Sequence, residues 1–190
     1  MLKNLPKSWM EWIRRLFDQS LKSGEVPSRW KEAKVIPLLK AGKDAGEVGS
    51  YRPVSLTSCL GKWMERVLAA RIRYKLESEG SISKWQAGFR VGRSVDDQLI
   101  RLSQQIDDGF QERKKTVLAL FDFSRAYDKV WRDGLLLKLQ RKGFGRTLVS
   151  WLQEWWSQRL AKVEVQGAWS KARRFKQDCR RAQYCPHSFF

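Results

Sequence analysis

The chain has 190 residues, 42% of them hydrophobic and 12% aromatic, with ten tryptophans. That is too apolar for a disordered tail or linker, and long enough to bury a core. Thirty-eight Lys and Arg against twenty Asp and Glu give a formal charge of +18, which points to a polyanionic partner, nucleic acid first. No stretch approaches the roughly 18 consecutive apolar residues of a membrane span. Residues 1 to 7 lack the apolar run of a signal peptide. Three cysteines cannot all pair within one chain, and a single histidine, His187, excludes a His-rich metal site. The expectation is an intracellular protein, nuclear or cytoplasmic, in a reducing compartment.

Ser8-Trp9-Met10-Glu11 has the form of a capping box, and Trp9, Trp12, Ile13, Leu16 and Phe17 follow at helical spacing up to Gly24. Val35 to Leu39 reads as a short buried strand, with Pro37 arguing for an edge position. Residues 40 to 50 form a glycine-rich polar loop without the Gly-Lys-Ser/Thr of a Walker A sequence. A helix is expected from about Leu60 to Glu79, with an apolar stripe of Trp63, Met64, Val67, Leu68, Ile72 and Leu76. Ser94-Val95-Asp96-Asp97 starts another helix, with Val95, Leu99, Leu102 and Ile106 on one face and a stop at Gly109.

At Thr116 the period changes. Residues 116 to 122 are a near-continuous apolar run ending in Asp122, the pattern of a fully buried central strand with a carboxylate at its end. An acid there is held on a rigid element, where metal ligands and catalytic acids are usefully placed, or it merely begins the next turn. Helices are expected over Asp133 to Lys142 and Gly145 to Arg159, the second with a core-facing stripe of Leu148, Trp151, Leu152, Trp155 and Trp156. Val163 and Val165 suggest a strand, Gly167-Ala168 a turn, and Arg173 to Lys176 a returning basic strand.

Three blocks together carry a resemblance. They are Ser50-Tyr51-Arg52-Pro53-Val54-Ser55-Leu56 continuing to Glu65, Gln86-Ala87-Gly88-Phe89-Arg90-Val91-Gly92-Arg93-Ser94 continuing to Gln98, and Leu120-Phe121-Asp122-Phe123-Ser124-Arg125-Ala126-Tyr127-Asp128 continuing to Trp131. In this order the chain resembles the fingers and first palm motif of reverse transcriptases from non-LTR retrotransposons, over residues 1 to 177. The resemblance implies an α+β fragment of a right-hand polymerase. Its parts would be fingers over 1–115 and a partial palm over 116–177.

The implied activity is RNA-directed DNA synthesis by two-metal nucleotidyl transfer, on an RNA template, a DNA primer and dNTP. By the same resemblance, Asp122 is the first metal-binding carboxylate and the Phe123 backbone carbonyl a second oxygen ligand, for which Mg²⁺ is the suited ion. Tyr127 would sit beneath the sugar and reject a 2′-hydroxyl. Arg52 would touch the triphosphate, with Lys40, Arg90 and Arg93 as weaker candidates that read more simply as contacts to solvent or phosphate backbone. Asp128 reads as a helix-start acid.

The family's second carboxylate pair, in a Tyr/Phe-Ala-Asp-Asp hairpin, has no counterpart: Asp96-Asp97 and Asp107-Asp108 are the only Asp pairs, and neither lies between strands. After Gln177 the family continues Gly-Leu-Pro-Gln-Gly-Ser-Val-Leu-Ser-Pro, whereas residues 178 to 190 read Asp-Cys-Arg-Arg-Ala-Gln-Tyr-Cys-Pro-His-Ser-Phe-Phe. One coding of the family motif, shifted by one nucleotide, translates to this tail throughout. A frameshift beside the Gln177 codon accounts for Cys179, Cys185 and His187 better than a zinc site does. The expectation is a polymerase fragment inactive alone, with an unfinished palm sheet open to self-association. The alternative is a non-catalytic basic RNA- or DNA-binding remnant: residues 141 to 181 hold eleven Lys and Arg against three Asp and Glu.

Overall fold

The structure is a computed structural model that describes residues 5–123 and 130–174. These fall into two compact units, one of residues 5–66 with 130–174, the other of residues 67–123. The mixture of helices and one mixed sheet makes an α+β fold.

In the first unit, α1 (Lys7–Ser23) starts one residue before the expected cap. Pro6 takes the N-cap position without a side-chain hydrogen bond, its fixed φ suiting the entry to a helix. The Ser8–Glu11 capping box does not form, because Ser8 is already inside the helix. Glu11 instead accepts from Arg14, with Nη2 at 2.7 Å, and from Arg15 Nε at 3.2 Å. Those hydrogen bonds hold its carboxyl at about 2, below the usual carboxylate range. Gly24 ends the helix in the left-handed conformation, φ 73°.

Strand β1 (Glu32–Leu39) pairs antiparallel with β2 (Tyr51–Leu56) and parallel with β3 (Leu160–Val165). Two short strands, β4 (Ala168–Trp169) and β5 (Arg173–Arg174), both pair antiparallel with β3. The edge position expected for Pro37 holds for half of β1 only. Lys34 and Val35 lie between β2 and β3, Glu32 and Ala33 pair with β3 alone, and residues 36 to 39 pair with β2 alone. Pro37 stands beyond that stretch and opposite Pro53, so two residues without an N–H face each other where neither need donate across the ladder. The two-residue turn after β3 has positive φ at both Gln166 (50°) and Gly167 (80°), which matches the right-handed twist of a tight hairpin.

One face of the sheet is covered: Ala33 and Val35 of β1 are buried. Helix α5 (Arg146–Trp156) packs against α1 and against α4 (Arg132–Arg141). Its tryptophan stripe is core, as expected. Trp151 and Trp155 are 0% and 1% exposed and stack with ring centroids 5.2 Å apart. The Trp151 Nε1–H donates to Ser20 Oγ at 3.0 Å, and that hydroxyl donates to the Glu25 carbonyl at 2.6 Å. Phe17 meets Trp30 and Trp63 edge-on, at 5.8 and 5.7 Å. α5 ends at Trp156 rather than Arg159, because Leu160 already donates its N–H to Lys31 and opens β3. Lys31, nearly buried, pairs with Glu154, and that hydrogen bond lowers the Glu154 carboxyl below its usual range.

Helix α2 (Cys59–Ser78) carries the expected stripe, with Met64 and Leu68 buried. In the second unit, α3 (Val95–Gln111) opens with a reciprocal capping box. Ser94 Oγ accepts from Asp97 N at 3.2 Å, and Asp97 accepts from Ser94 N at 2.8 Å. Gly109 does not stop this helix, which runs two residues further and closes where Arg113 takes a positive φ of 53°. None of the α3 residues is buried.

The expected central strand over Thr116 to Asp122 is overturned. The stretch has no strand structure, and Val117, Leu120 and Phe121 are 90%, 85% and 89% exposed. A strand is held by ladder hydrogen bonds to a neighbour, and none of β1 to β5 pairs with this segment. Apolar content alone does not fix it.

Candidate functional site

The residues singled out from the sequence divide between the two units. Arg52 lies on β2 opposite Leu38, with its side chain on the uncovered sheet face. Lys40 follows β1 directly. Its Nζ donates to the Gly49 carbonyl at 2.8 Å and its N–H to the Ser50 carbonyl at 2.9 Å, so it closes the glycine-rich loop. Two further bonds order that loop, Gly46 N to Asp44 Oδ1 and the Tyr51 hydroxyl to the Ala45 carbonyl, both 2.9 Å. Lys40 therefore acts as a loop staple.

Arg90 has a comparable structural task. Its guanidinium forks onto both carboxylate oxygens of Glu77, with Nε to Oε1 at 2.8 Å, and Nη1 donates to the carbonyls of Ser83 (2.8 Å) and Gln86 (3.2 Å). Only 12% of its side chain is exposed. Its hydrogen bonds lower the Glu77 carboxyl, and the nearby charges of Arg93 and Arg73 act in the same direction. These contacts engage four of the five N–H donors of Arg90 and leave one Nη2–H open. Removing the fork by Arg90→Ala is expected to loosen residues 80–93, read as severalfold faster limited proteolysis there, with the first unit unaffected. Equal proteolysis rates would show that the fork does not order the loop. Arg93 is exposed, between Gly92 at φ 71° and the N-cap Ser94.

Asp122 and Phe123 are exposed, on backbone with no regular structure. Tyr127 and Asp128 lie outside the described residues, as does the tail with Cys179, Cys185 and His187. Among the described residues no group of three His, Cys, Asp or Glu side chains stands close enough to hold a metal ion. Asp122 supplies one carboxylate, and two-metal chemistry needs several hard oxygen ligands around each ion. The described residues do not build a two-metal site.

A different, open concavity lies on the sheet. On the uncovered face of the sheet, an open groove of about 1000 Å³ is lined by Arg29, Lys34, Leu56, Lys162 and Trp169, with Glu32 as its one acid. The Lys34 ammonium lies 5.3 Å from the centre of the Trp169 ring. Sequence reading missed this site because its residues come from four strands and the short helical turn before β1, and only the tertiary fold brings them together. The only advance signal was the period-two exposure of Lys162 between Ala161 and Val163.

The fold, the ordered motifs and the basic surface point one way, and comparison with known proteins gives the same answer. A family model described as "Reverse transcriptase (RNA-dependent DNA polymerase)" matches residues 38–184. The chain is 34% identical over 140 residues to the RNA-directed DNA polymerase from mobile element jockey of Drosophila melanogaster, covering 74% of this chain and 15% of that protein. Against the jockey polymerase of Drosophila funebris the identity is 30% over 172 residues, 90% of this chain and 19% of the relative. A Pol polyprotein from the type-1 retrotransposable element R1 of Bradysia coprophila is 31% identical over 130 residues, 68% and 13% of the two chains. The chain belongs to the reverse transcriptase family, on its non-LTR retrotransposon branch. It spans less than a fifth of the length of these relatives.

Proposed function

We propose that this chain is the fingers (residues 1–115) and the opening of the palm (116–177) of an RNA-directed DNA polymerase, followed by a frameshifted tail over 178–190. The observation that carries this reading is the ordered set of three motif blocks, the last running from Leu120 through Asp122 to Trp131, within a family match that covers most of the chain. In the complete enzyme the partners are an RNA template, a DNA primer and dNTP. There Asp122 and the Phe123 carbonyl are the oxygen ligands offered to Mg²⁺, Tyr127 bounds the sugar, and Arg52 and Arg93 are the cations free to meet phosphate. Lys40 orders the loop that leads into the strand of Arg52, and Arg90 orders the turns that precede Arg93.

Alone, the chain lacks the second carboxylate pair, and transfer has nothing to stabilise its leaving oxygens. Purified protein with Mg²⁺, dTTP and a poly(A)–oligo(dT) substrate is expected to incorporate no label above background. Incorporation that disappears in Asp122→Ala would overturn this. The gene gives a separate check on the tail, since the shifted frame after Gln177 should encode Leu-Pro-Gln-Gly and, further on, an Asp-Asp hairpin.

A second reading, the basic RNA-binding remnant, is favoured by the charge of +18. It predicts salt-sensitive RNA binding that Asp122→Ala leaves unchanged. Self-association through exposed Val117, Leu120 and Phe121 would appear as concentration-dependent sedimentation.

A further inference from the structure

Two unpartnered faces of this chain carry opposite charge. The first is the uncovered side of the sheet. There Ile36 stands opposite Val54, Leu38 opposite Arg52 and Leu56 opposite Lys34. Their aliphatic side chains make an apolar floor, with Leu38, Val54 and Leu56 exposed. Cations stand at both ends of it. Lys34 lies in register with Lys162, two like charges on strands about 4.8 Å apart. Arg52 lies four residues along β2 from Leu56, about 13 Å at the rise of a strand. Like charges in register destabilise a sheet, and local choices that oppose the fold are expected where a partner compensates them. The one acid lining the groove, Glu32, is offset by a further cation, Arg29.

The second face is on α3, the acidic helix of a strongly basic chain, with Asp96, Asp97, Asp107 and Asp108 against Arg101 alone. Val95, Leu99, Leu102 and Ile106 form its apolar stripe, exposed at the first two and half-buried at the others. Asp97 is engaged in the capping box, and Asp108 accepts from Gln104 at 2.8 Å. Asp96 and Asp107 flank the stripe on one side, about three turns or 16 Å apart. Arg101 falls on the other flank, 5.5 Å from the centre of the Trp85 ring.

We propose that the sheet groove is occupied by α3 of a second copy of this chain. The stripe of α3 lies on the aliphatic floor and the helix runs along the strands. One of Asp96 and Asp107 stands over the Lys34–Lys162 pair and the other over Arg52. The two spacings, about 16 Å and about 13 Å, differ by less than the reach of a lysine or arginine side chain. A carboxylate between the two lysines converts their repulsion into charge-assisted hydrogen bonds, while each apolar face leaves water. Every molecule carries both halves of the contact. Made twice in a closed pair, it brings the buried area toward the roughly 1,600 Å² of a specific complex.

The test is analytical ultracentrifugation of the full chain over a range of concentrations and salt. Mass is expected to rise with concentration at low salt, and the association to weaken as salt screens the charge pairs. Charge reversal of either face, Asp96→Lys/Asp107→Lys on α3 or Lys34→Glu/Arg52→Glu/Lys162→Glu in the groove, should weaken association at least about tenfold. Mixing the two reversed chains should restore it, because each reversed face then meets its opposite, a gain that misfolded chains cannot produce. Leu120→Gln/Phe121→Gln should associate like the parent, which separates this contact from the apolar segment 116–122. The pairing is overturned by a parent chain that stays monomeric at every concentration at low salt, or by reversed chains that associate as the parent does. A mixture no heavier than its components, or loss of association in Leu120→Gln/Phe121→Gln, would overturn it equally.

Discussion

Trp151→Ala is expected to lower the stability of the sheet-bearing unit by about 3–5 kcal/mol, a large share of the roughly 5–15 kcal/mol that a domain of ordinary stability has. The indole is fully buried and stacked on Trp155. Its truncation removes that contact and leaves a cavity between α5 and α1, where rings already meet edge to face and cannot collapse inward without losing their own contacts. The N–H to Ser20 is a smaller part. Trp151→Phe keeps an aromatic face and gives up only that bond and some volume, so a loss nearer 1–2 kcal/mol is expected. Urea unfolding followed by circular dichroism measures both. A Trp151→Ala variant within 1 kcal/mol of the parent chain would mean that this stack does not hold the unit together.

Gly61→Val is expected to cost about 1–3 kcal/mol, although valine is the better helix former of the two. Gly61 lies in the first turn of α2. A Cβ added there would stand 3.2 Å from the Trp155 ring and 3.3 Å from Trp30 Cβ, so the helix docks on two tryptophans through a residue with no side chain. Alanine separates the two effects. Its single methyl group needs the rings to yield by a few tenths of an ångström, while replacing glycine gains up to about 1 kcal/mol of helix propensity, so Gly61→Ala should come out near neutral. Valine adds two more carbons into the same contact and loses that balance. Thermal unfolding of the three chains gives the order glycine and alanine together, valine lower. A valine variant as stable as the parent would show that α2 can move away from Trp155 without cost.

The elements that could be read from the sequence are those whose cause is local. The stripes of α2 and α5, the Ser94–Asp97 box and the left-handed Gly24 each follow from residues within a few positions of one another. Short-range chemistry still misled where two local choices compete. The Ser8 box yielded to Pro6 as N-cap. Gly109 is tolerated inside α3, where one glycine costs only about 1 kcal/mol.

The site was less legible. The motif blocks name the family and point to Asp122, but they say nothing about which cations are already engaged. Arg90 stands in a motif and is consumed by Glu77. Lys34 and Lys162 stand in no motif and line a groove.

Composition, charge and motif order therefore determined by themselves that this is a basic α+β protein of the reverse transcriptase family, with Asp122 at the end of an apolar run. The tertiary structure alone decided two things. One is the parallel pairing of β1 with β3 across more than a hundred residues, which puts Lys34 beside Lys162. The other is the fate of residues 116–122, which share the apolar pattern of a central strand yet lie exposed. The reason is common to both. A helix carries its hydrogen-bond partners within its own sequence, whereas a strand exists only where a neighbour supplies them.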